Sequence, residues 1–242
     1  MRCDALVRVL IACEMSARVR DEFRRWGHDA WSADILPTTG DPAWHIQGDV
    51  LPLLNRRWDL MVAFPPCTHL SLAGAVHWKE KQADGRQQEA LDFVRTLMDA
   101  DIPRIAIENP AGAINSQIRK PDQIIQPFYF GDPWAKRTCL WLKGLPRLVP
   151  DQPVEKQGHW LWTRRHSGEI VGSDTLLGHK NRHIARSLTF AGVARSMAAQ
   201  WGAKGVTHYG SPSICYIDEC NSLARRKAMC DKHYMRARRN AA

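Results

Sequence analysis

Short apolar runs alternate along the chain with segments whose apolar residues recur every three or four positions. The first run, residues 5–12, is typical of a buried strand. Apolar residues then repeat at helical spacing up to Gly27, at Val19, Phe23 and Trp26. Further strand-like runs lie at residues 28–34, 59–64 and 103–108, and the helix between the last two carries Leu91, Val94 and Met98. This alternation predicts an α/β fold with a parallel sheet covered on both faces.

The second half of the chain has a less regular pattern. Runs at 123–130 and 137–143 predict two more strands, and a last amphipathic helix is marked by Phe190, Val193, Met197 and Trp201. Between about 145 and 186, tryptophans mix with arginines and histidines, which predicts a small lobe outside the core. Residues 202–213 contain three glycines and a proline and have the character of a linker. We therefore expect a body at 1–210 and a separate module at 211–242.

Charge and cysteine content narrow the class of protein. Lys and Arg number 34 against 25 Asp and Glu, and this net charge of +9 favours partners that carry phosphate. No apolar run approaches the roughly 18 residues of a membrane span, and no signal-peptide core follows the charged start, so we expect a cytoplasmic protein with no membrane partner.

Seven cysteines form an odd set that disfavours a disulfide framework. Cys3, Cys13 and Cys139 stand in apolar contexts and are predicted to be packing residues.

Two motifs stand at the carboxyl ends of successive predicted strands. Pro65-Pro66-Cys67 follows the run at 59–64, and the run that begins at residue 103 ends in Glu108-Asn109-Pro110. Ligands and reacting groups usually gather at this edge of a parallel sheet. In this order and position, the two motifs resemble the catalytic pair of the cytosine-C5 DNA methyltransferases. The resemblance implies a Rossmann-like, S-adenosylmethionine-dependent methyltransferase fold over about residues 5–202.

The chemistry of cytosine accounts for these residue types. C5 of cytosine is a poor nucleophile, and a thiolate that adds to C6 makes it an enamine-like one, which is the role the resemblance gives to Cys67. Electron density then moves toward N3, where a carboxyl group can donate a proton, as Glu108 would. Asn109 would hold the turn. The alternative is structural, with Cys67 a buried core thiol and Glu108 a helix-capping carboxylate.

The resemblance also indicates cofactor positions. The glycine-rich first loop of the family is replaced by residues 12–17, a departure that requires small side chains or a shifted turn where the backbone approaches S-adenosylmethionine. Asp34 corresponds to the acid that binds the ribose hydroxyls, and Asp49 to the residue that faces the adenine amine. Lone aspartates after strands are also common turn formers. The implied cofactor residues are Cys13, Glu14, Ser16, Asp34, Ile35, Asp49, Phe64 and Pro65.

Three further segments complete the resemblance. Residues 134–141 lie where the family has an arginine-bearing strand that contacts the flipped base. The resemblance assigns this contact to Arg137, with Lys136 as the second candidate. The alternative is that both are solvated residues of an edge strand. The lobe at 145–186 takes the place of the target-recognition region and is short, as in compact phage-encoded members. Its tryptophans would stack on bases or fill a core. The last helix resembles the final cofactor motif.

The tail carries a second kind of site. Four ligands with short spacing fall within nineteen residues, namely Cys215, Cys220, Cys230 and His233, and they predict one tetrahedral zinc ion. So few large apolar residues accompany them that zinc binding would supply much of the folding free energy. The alternative is that the cysteines form disulfides or that the spacing arises by chance, and a reducing compartment disfavours disulfides. Seven basic residues against three acidic ones surround the ligands, and the segment resembles small zinc modules of DNA-processing proteins.

These observations predict an enzyme that methylates C5 of a flipped cytosine in duplex DNA through a covalent Cys67 adduct. Three alternatives remain open: an RNA cytosine as substrate, a sulfonium donor that carries a carboxylate, and a DNA-binding relative without catalysis. An amino-methyltransferase is disfavoured, because its corresponding loop ends in an aromatic residue where this chain has Cys67. The sequence indicates no protein partner.

Overall fold

The structure is a computed structural model and describes residues 6–159 and 188–202. In this part of the chain the helices are α1 (Arg18–Arg25), α2 (Trp78–Ala83), α3 (Arg86–Asp99), α4 (Ala113–Gln117) and α5 (Ala191–Trp201). The main sheet consists of β1 (Arg8–Ala12), β2 (Asp29–Asp34), β3 (His45–Gln47), β4 (Leu60–Ala63), β5 (Ile105–Pro110), β6 (Gln123–Ile125) and β8 (Thr138–Lys143). A short ribbon pairs β7 (Trp134–Ala135) with β9 (Gly158–His159).

The strand order in the main sheet is β3-β2-β1-β4-β5-β8-β6. This is the order of a doubly wound sheet with one strand inserted between the fifth and sixth positions, so the fold is α/β and compatible with a Rossmann-like architecture. The order reverses between β1 and β4. A crevice at their carboxyl ends is where such sheets bind ligands.

The inserted strand β8 makes the sheet mixed, whereas the sequence pattern predicts a parallel one. β8 runs antiparallel to both β5 and β6, and its first residue, Thr138, pairs with Ile125 at the end of β6. The connection from Ile125 to Thr138 contains no α-helix in which the chain could cross back to the far edge. A strand that begins where the previous one ended must run in the opposite direction.

Helices cover both faces of the sheet, and the residues of β1 alternate between the two layers. Leu10 and Ala12 belong to the core layer under α3, which contains Leu91, Val94 and Leu97. Val9 and Ile11 belong to the opposite layer, which includes Val19 and Phe23 of α1 and Val193, Met197 and Trp201 of α5. This period-two alternation gives each central strand two buried faces.

Two predictions about packing are wrong. Trp26 lies just after the last residue of α1 and is 57% exposed, because Gly27 turns the chain with a φ of 84° before the indole can reach the sheet. Leu148 falls in the predicted lobe but is buried in the layer that contains α5. The beginning of the 145–186 segment is thus part of the core, and residues 160–186 lie outside the described residues.

The chain divides into two units, Met1–Gly205 and Val206–Ala242. The second unit, which contains the predicted zinc ligands, lies outside the described residues. No helix in the described ranges is long and apolar enough to cross a membrane.

Candidate active site

The candidate residues lie along the carboxyl edge of the sheet, where β1 to β5 end. Cys67 follows β4, and Glu108 and Asn109 are the fourth and fifth residues of β5. β4 and β5 are parallel neighbours, with Ala63 paired to Ile107. The two motifs that sequence analysis singled out therefore start from adjacent positions at one edge.

A buried hydrogen bond joins the two motifs. Asn109 is 1% exposed, and its side-chain Nδ2 donates to the carbonyl oxygen of Pro65 at 2.7 Å. An amide side chain at this depth is costly unless it is bonded. Asn109 therefore fixes the distance between the Cys67 loop and the end of β5, which agrees with its predicted part in holding the turn.

The backbones of the two loops also meet directly. The N–H of Ala113 donates to the carbonyl of Leu70 at 2.7 Å, and the N–H of Leu72 donates to the carbonyl of Ala111 at 3.0 Å. A Cβ atom added at Gly112 would lie 1.9 Å from the Leu70 carbonyl oxygen. Glycine is required at this position for space rather than for its backbone angles, since its φ of 175° is extended.

The loop that carries Cys67 is tightly turned and is held by hydrogen bonds within the loop and from α2. The thiol of Cys67 is exposed, and its carbonyl accepts hydrogen bonds from the N–H groups of Leu70 and Ser71, at 3.0 and 2.9 Å. Lys81 Nζ donates to the carbonyl of Thr68 at 2.7 Å. The alternative of a buried core thiol is thus wrong for Cys67.

Two supporting residues, Lys81 on α2 and Gln87 on α3, were missed by sequence reasoning. Gln87 Nε2 donates to the carbonyl of His69 at 3.1 Å. Both are long polar side chains on helices, a pattern that ordinarily indicates a solvated face. Their targets are backbone carbonyls, which have no sequence signature.

Glu108 occupies a desolvated position at the end of the sheet. Its carboxyl is desolvated, which raises the pKa, while the charge of Lys136 and a side-chain hydrogen bond with Thr138 partly oppose the shift. These three side chains line one small cavity, together with Ile125, Pro127, Thr189, Phe190 and Val193. Glu108 lies within β5 and not at a helix terminus, so the helix-capping alternative is wrong for this residue.

Lys136 and Arg137 take different positions before β8. The ammonium of Lys136 acts electrostatically on Glu108 and lies 5.8 Å from the centre of the Phe190 ring. Arg137 is exposed, and its charge acts on the thiol of Cys139. The predicted contact of Arg137 with the base stays a prediction. Of the two cations, Lys136 is the one whose charge lowers the pKa of Glu108.

The first loop, residues 12–17, contains no glycine, and two other residues adopt backbone angles that glycine favours. Cys13 and Ala17 adopt positive φ angles of 58° and 61°, the left-handed region that glycine enters most easily. Glu14 is buried and accepts hydrogen bonds from Val19 N–H at 2.8 Å and from the Ser16 hydroxyl at 3.1 Å. Its carboxylate thus serves the first turn of α1, and burial raises its pKa.

The remaining cofactor candidates cluster at the ends of β1, β2 and β3. Burial and then the charges of Asp34 and Asp49 raise the pKa of the Cys13 thiol to about 12. Asp34 Oδ1 accepts from Leu36 N–H at 2.9 Å, and Asp49 Oδ1 accepts from Leu51 N–H at 3.0 Å. The cluster thus combines two aspartates, each bound through one oxygen to its own loop, with a protonated thiol.

Apolar groups border this cluster. Ile35 is 73% exposed beside Asp34. Phe64 is partly buried, its N–H donates to the Ala12 carbonyl at 2.9 Å, and Pro65 is buried. The structure therefore brings the candidates of the first, second and fourth strands to one edge.

The described residues bear only in part on the predicted metal site and recognition lobe. Within residues 6–159 and 188–202, no group of three or more His, Cys, Asp or Glu side chains is placed to hold a metal ion. The predicted zinc ligands Cys215, Cys220, Cys230 and His233 lie outside the described residues, as do Trp160 and Trp162.

Comparison of the chain with protein-family models gives no match, and comparison with curated proteins gives none either. The function must therefore be argued from the site itself.

Proposed function

We propose that this protein is an S-adenosylmethionine-dependent methyltransferase that acts on C5 of cytosine in DNA. The observation that carries the proposal is the Asn109–Pro65 hydrogen bond, which fastens the exposed Cys67 thiol loop to the strand end that bears Glu108. A nucleophile and a carboxylic acid are thereby held at one edge of a doubly wound sheet. Cytosine activation requires both groups on the same base.

The elevated pKa of Glu108 supports its part in the reaction. Desolvation keeps a larger fraction of the carboxyl protonated near neutral pH than in an ordinary glutamate. A protonated carboxyl can donate to N3 of the base while the Cys67 thiolate forms a bond to C6. The electron pair displaced from the C5–C6 double bond then makes C5 nucleophilic. After methyl transfer to C5, the C5 proton passes to water, the N3 proton returns to the Glu108 carboxylate and the Cys67 thiolate leaves, which restores the aromatic ring.

The cluster at the ends of β1, β2 and β3 fits an adenosine group. Each of Asp34 and Asp49 uses one carboxylate oxygen for its own loop, and among the described residues the second oxygen can accept from hydroxyl or amine donors. Exposed Ile35 offers an apolar surface beside them. Asp34, Asp49 and Ile35 would hold S-adenosylmethionine, which supplies an electrophilic methyl group when bound.

The test is mass spectrometry of nucleosides from DNA and RNA of cells that express the protein. We expect 5-methylcytosine in the DNA and none above background with Cys67→Ala. Modification confined to RNA would overturn the choice of substrate. A heavier C5 substituent would indicate a donor that carries a carboxylate, and unmodified nucleic acid that the protein still binds would indicate a relative without catalysis.

We propose further that residues 211–242 form a zinc-bound basic module that binds phosphate without sequence preference. Support comes from the ligand spacing and the excess of basic residues. We expect one zinc per chain by elemental analysis. Deletion of 211–242 should weaken binding to all duplexes alike and lower the salt slope by about 0.9 for each phosphate group that the module neutralises. A metal-free protein, or a changed site preference with unchanged general affinity, would contradict this assignment.

A further inference from the structure

Lys81 is a buried lysine with an unusual partner. Its side chain is part of α2, the residue is 8% exposed, and its ammonium donates to the carbonyl oxygen of Thr68 at 2.7 Å. Buried lysines ordinarily pair with carboxylates. Within the described residues, Lys81 instead directs its charge at the backbone next to Cys67.

The surrounding loop is shaped to admit this ammonium. A Cβ atom added at Gly74 would lie 3.3 Å from Lys81 Nζ and 3.5 Å from the Thr68 carbonyl oxygen. The turn at 72–77 therefore closes over the contact through a residue without a side chain. The contact is enclosed between this turn, the Cys67 loop and α2.

The carboxylates next to Lys81 in the chain have another partner. Glu80 and Asp84 both form ion pairs with Arg86 at the start of α3. Besides Cys67 itself, the Cys67 loop, the turn at 72–77 and α2 also contain the titratable residues His69, His77 and Lys79. Glu108 lies across the site, at the end of β5. Since Arg86 pairs with the acids of α2, the Lys81 charge is left to act on the loop.

We infer that Lys81 is a positioning residue for Cys67, a role that rests on the proposed function. The ammonium holds the Thr68 carbonyl, which keeps the nucleophile loop in its turned conformation. Its positive charge also favours the thiolate form of the adjacent Cys67 over the thiol. Lys81 thus serves as both a tether and a source of charge.

The experiment measures the rate at which iodoacetamide alkylates Cys67 in the full-length protein, as a function of pH. Cleavage by trypsin after Arg57 and Lys79 yields a peptide whose sole cysteine is Cys67, and mass spectrometry follows this peptide alone. Lys81→Gln keeps a hydrogen-bond donor without charge, Lys81→Met removes both, and Lys81→Arg keeps the charge. The exposed neighbour Lys79→Gln is the matched control, and its peptide extends to Lys81.

We expect the alkylation midpoint to rise by about one pH unit in Lys81→Gln and Lys81→Met, which lowers reactivity near neutral pH about tenfold. Lys81→Arg should restore most of the reactivity, and Lys79→Gln should match the parent protein. Circular dichroism identifies any variant that fails to fold, and Lys81→Gln provides the test if Lys81→Met does not fold. An unchanged midpoint in Lys81→Gln would overturn the charge role.

The readout separates this inference from the proposed function, because alkylation needs neither DNA nor donor. A midpoint that depends on Lys81 in a protein that never modifies cytosine would leave the electrostatic role of Lys81 standing and overturn the proposed reaction. If the protein modifies cytosine but the alkylation midpoint does not change in the Lys81 variants, the proposed reaction would stand and the role of Lys81 would be overturned.

Discussion

The two halves of the carboxyl edge are built differently. At the ends of β4 and β5, side chains of one element bind the backbone of another, as from Asn109 of β5 to Pro65 and from Lys81 of α2 to Thr68. At the ends of β1, β2 and β3, backbone hydrogen bonds also join loops, as from Thr39 N–H to the Met15 carbonyl at 2.9 Å. The carboxylates of Asp34 and Asp49, however, each accept within their own loop, as Asp34 does from Leu36 N–H. Ties between loops fix the relative positions of groups on different strands, which a reaction needs. A carboxylate that binds its own loop through one oxygen keeps its second oxygen for a ligand that contacts several loops in turn.

The largest effect should come from removing the nucleophile. Cys67→Ala should abolish covalent trapping on DNA that contains 5-fluorocytosine, while duplex binding stays within a few fold, because the thiolate contributes to chemistry and little to phosphate binding. Denaturing gel electrophoresis detects the adduct. Cys13→Gly is the matched cysteine variant on the other half of the edge and should still form the adduct at saturating donor. A stable adduct in Cys67→Ala would contradict the mechanism.

The next effect concerns Glu108, in the half of the edge formed by the ends of β4 and β5. Glu108→Gln should lower turnover by about 10²- to 10⁴-fold and leave donor affinity nearly unchanged, since the amide keeps the shape but cannot supply the proton. Single-turnover kinetics and isothermal titration calorimetry measure the two quantities. In the parent protein, the proposed activity should fall as pH rises through the elevated pKa of Glu108. An unchanged rate would remove Glu108 from the reaction.

Gly112→Ala should break the contact between the two loops. The added methyl group would collide with the Leu70 carbonyl, and we expect a decrease of about 1–3 kcal/mol in the free energy of unfolding together with reduced turnover. Urea denaturation and activity at matched donor saturation measure this. Gly27→Ala is the control: its added methyl group meets open space, and its φ of 84° costs about 1 kcal/mol without affecting turnover. Normal turnover in Gly112→Ala would indicate that the loop contact is dispensable.

The elevated pKa of Glu108 also predicts how stability depends on pH. Burial makes the folded state bind this proton more tightly than the unfolded state does. Glu108 therefore costs no stability below its unfolded pKa, and a penalty develops as pH rises from that value through the folded pKa. Thermal unfolding across this range should show a smaller decline in Glu108→Gln than in the parent protein. Parallel curves for the two proteins would contradict the assigned burial effect.

The smallest effect should come from the loop after β1, in the half of the edge formed by the ends of β1, β2 and β3. Ala17→Gly relieves a left-handed alanine but raises the entropy of the unfolded chain and removes a buried methyl group, so the opposing effects nearly cancel. We expect the free energy of unfolding to change by less than about 1 kcal/mol, with donor affinity unchanged. Chemical denaturation and calorimetric titration check this. A decrease above about 2 kcal/mol would mean that the Ala17 side chain is essential to the loop.

Sequence reasoning found the parts of the site that depend on strand ends. Cys67 and Glu108 follow apolar runs whose burial dictates a strand, so their placement at one edge follows from parallel pairing. The direction of β8 could not be found this way, because a buried strand has the same pattern in either direction. β3 was missed, since its three residues include only one large apolar side chain, Ile46. Gly112 and Lys81 act on backbone atoms, which leave no trace in the sequence.

The contact between α5 and α1 has a consequence for how the chain is made. Arg18 Nη1 donates to the carbonyl of Thr189 at 2.9 Å, although the two residues are 171 positions apart. At ribosomal rates, roughly 10 to 35 s pass between their synthesis. During that interval Val19 and Phe23 lack the cover that α5 provides. A nascent chain released before Ala191 therefore presents an apolar surface of the kind that chaperones and proteases recognise.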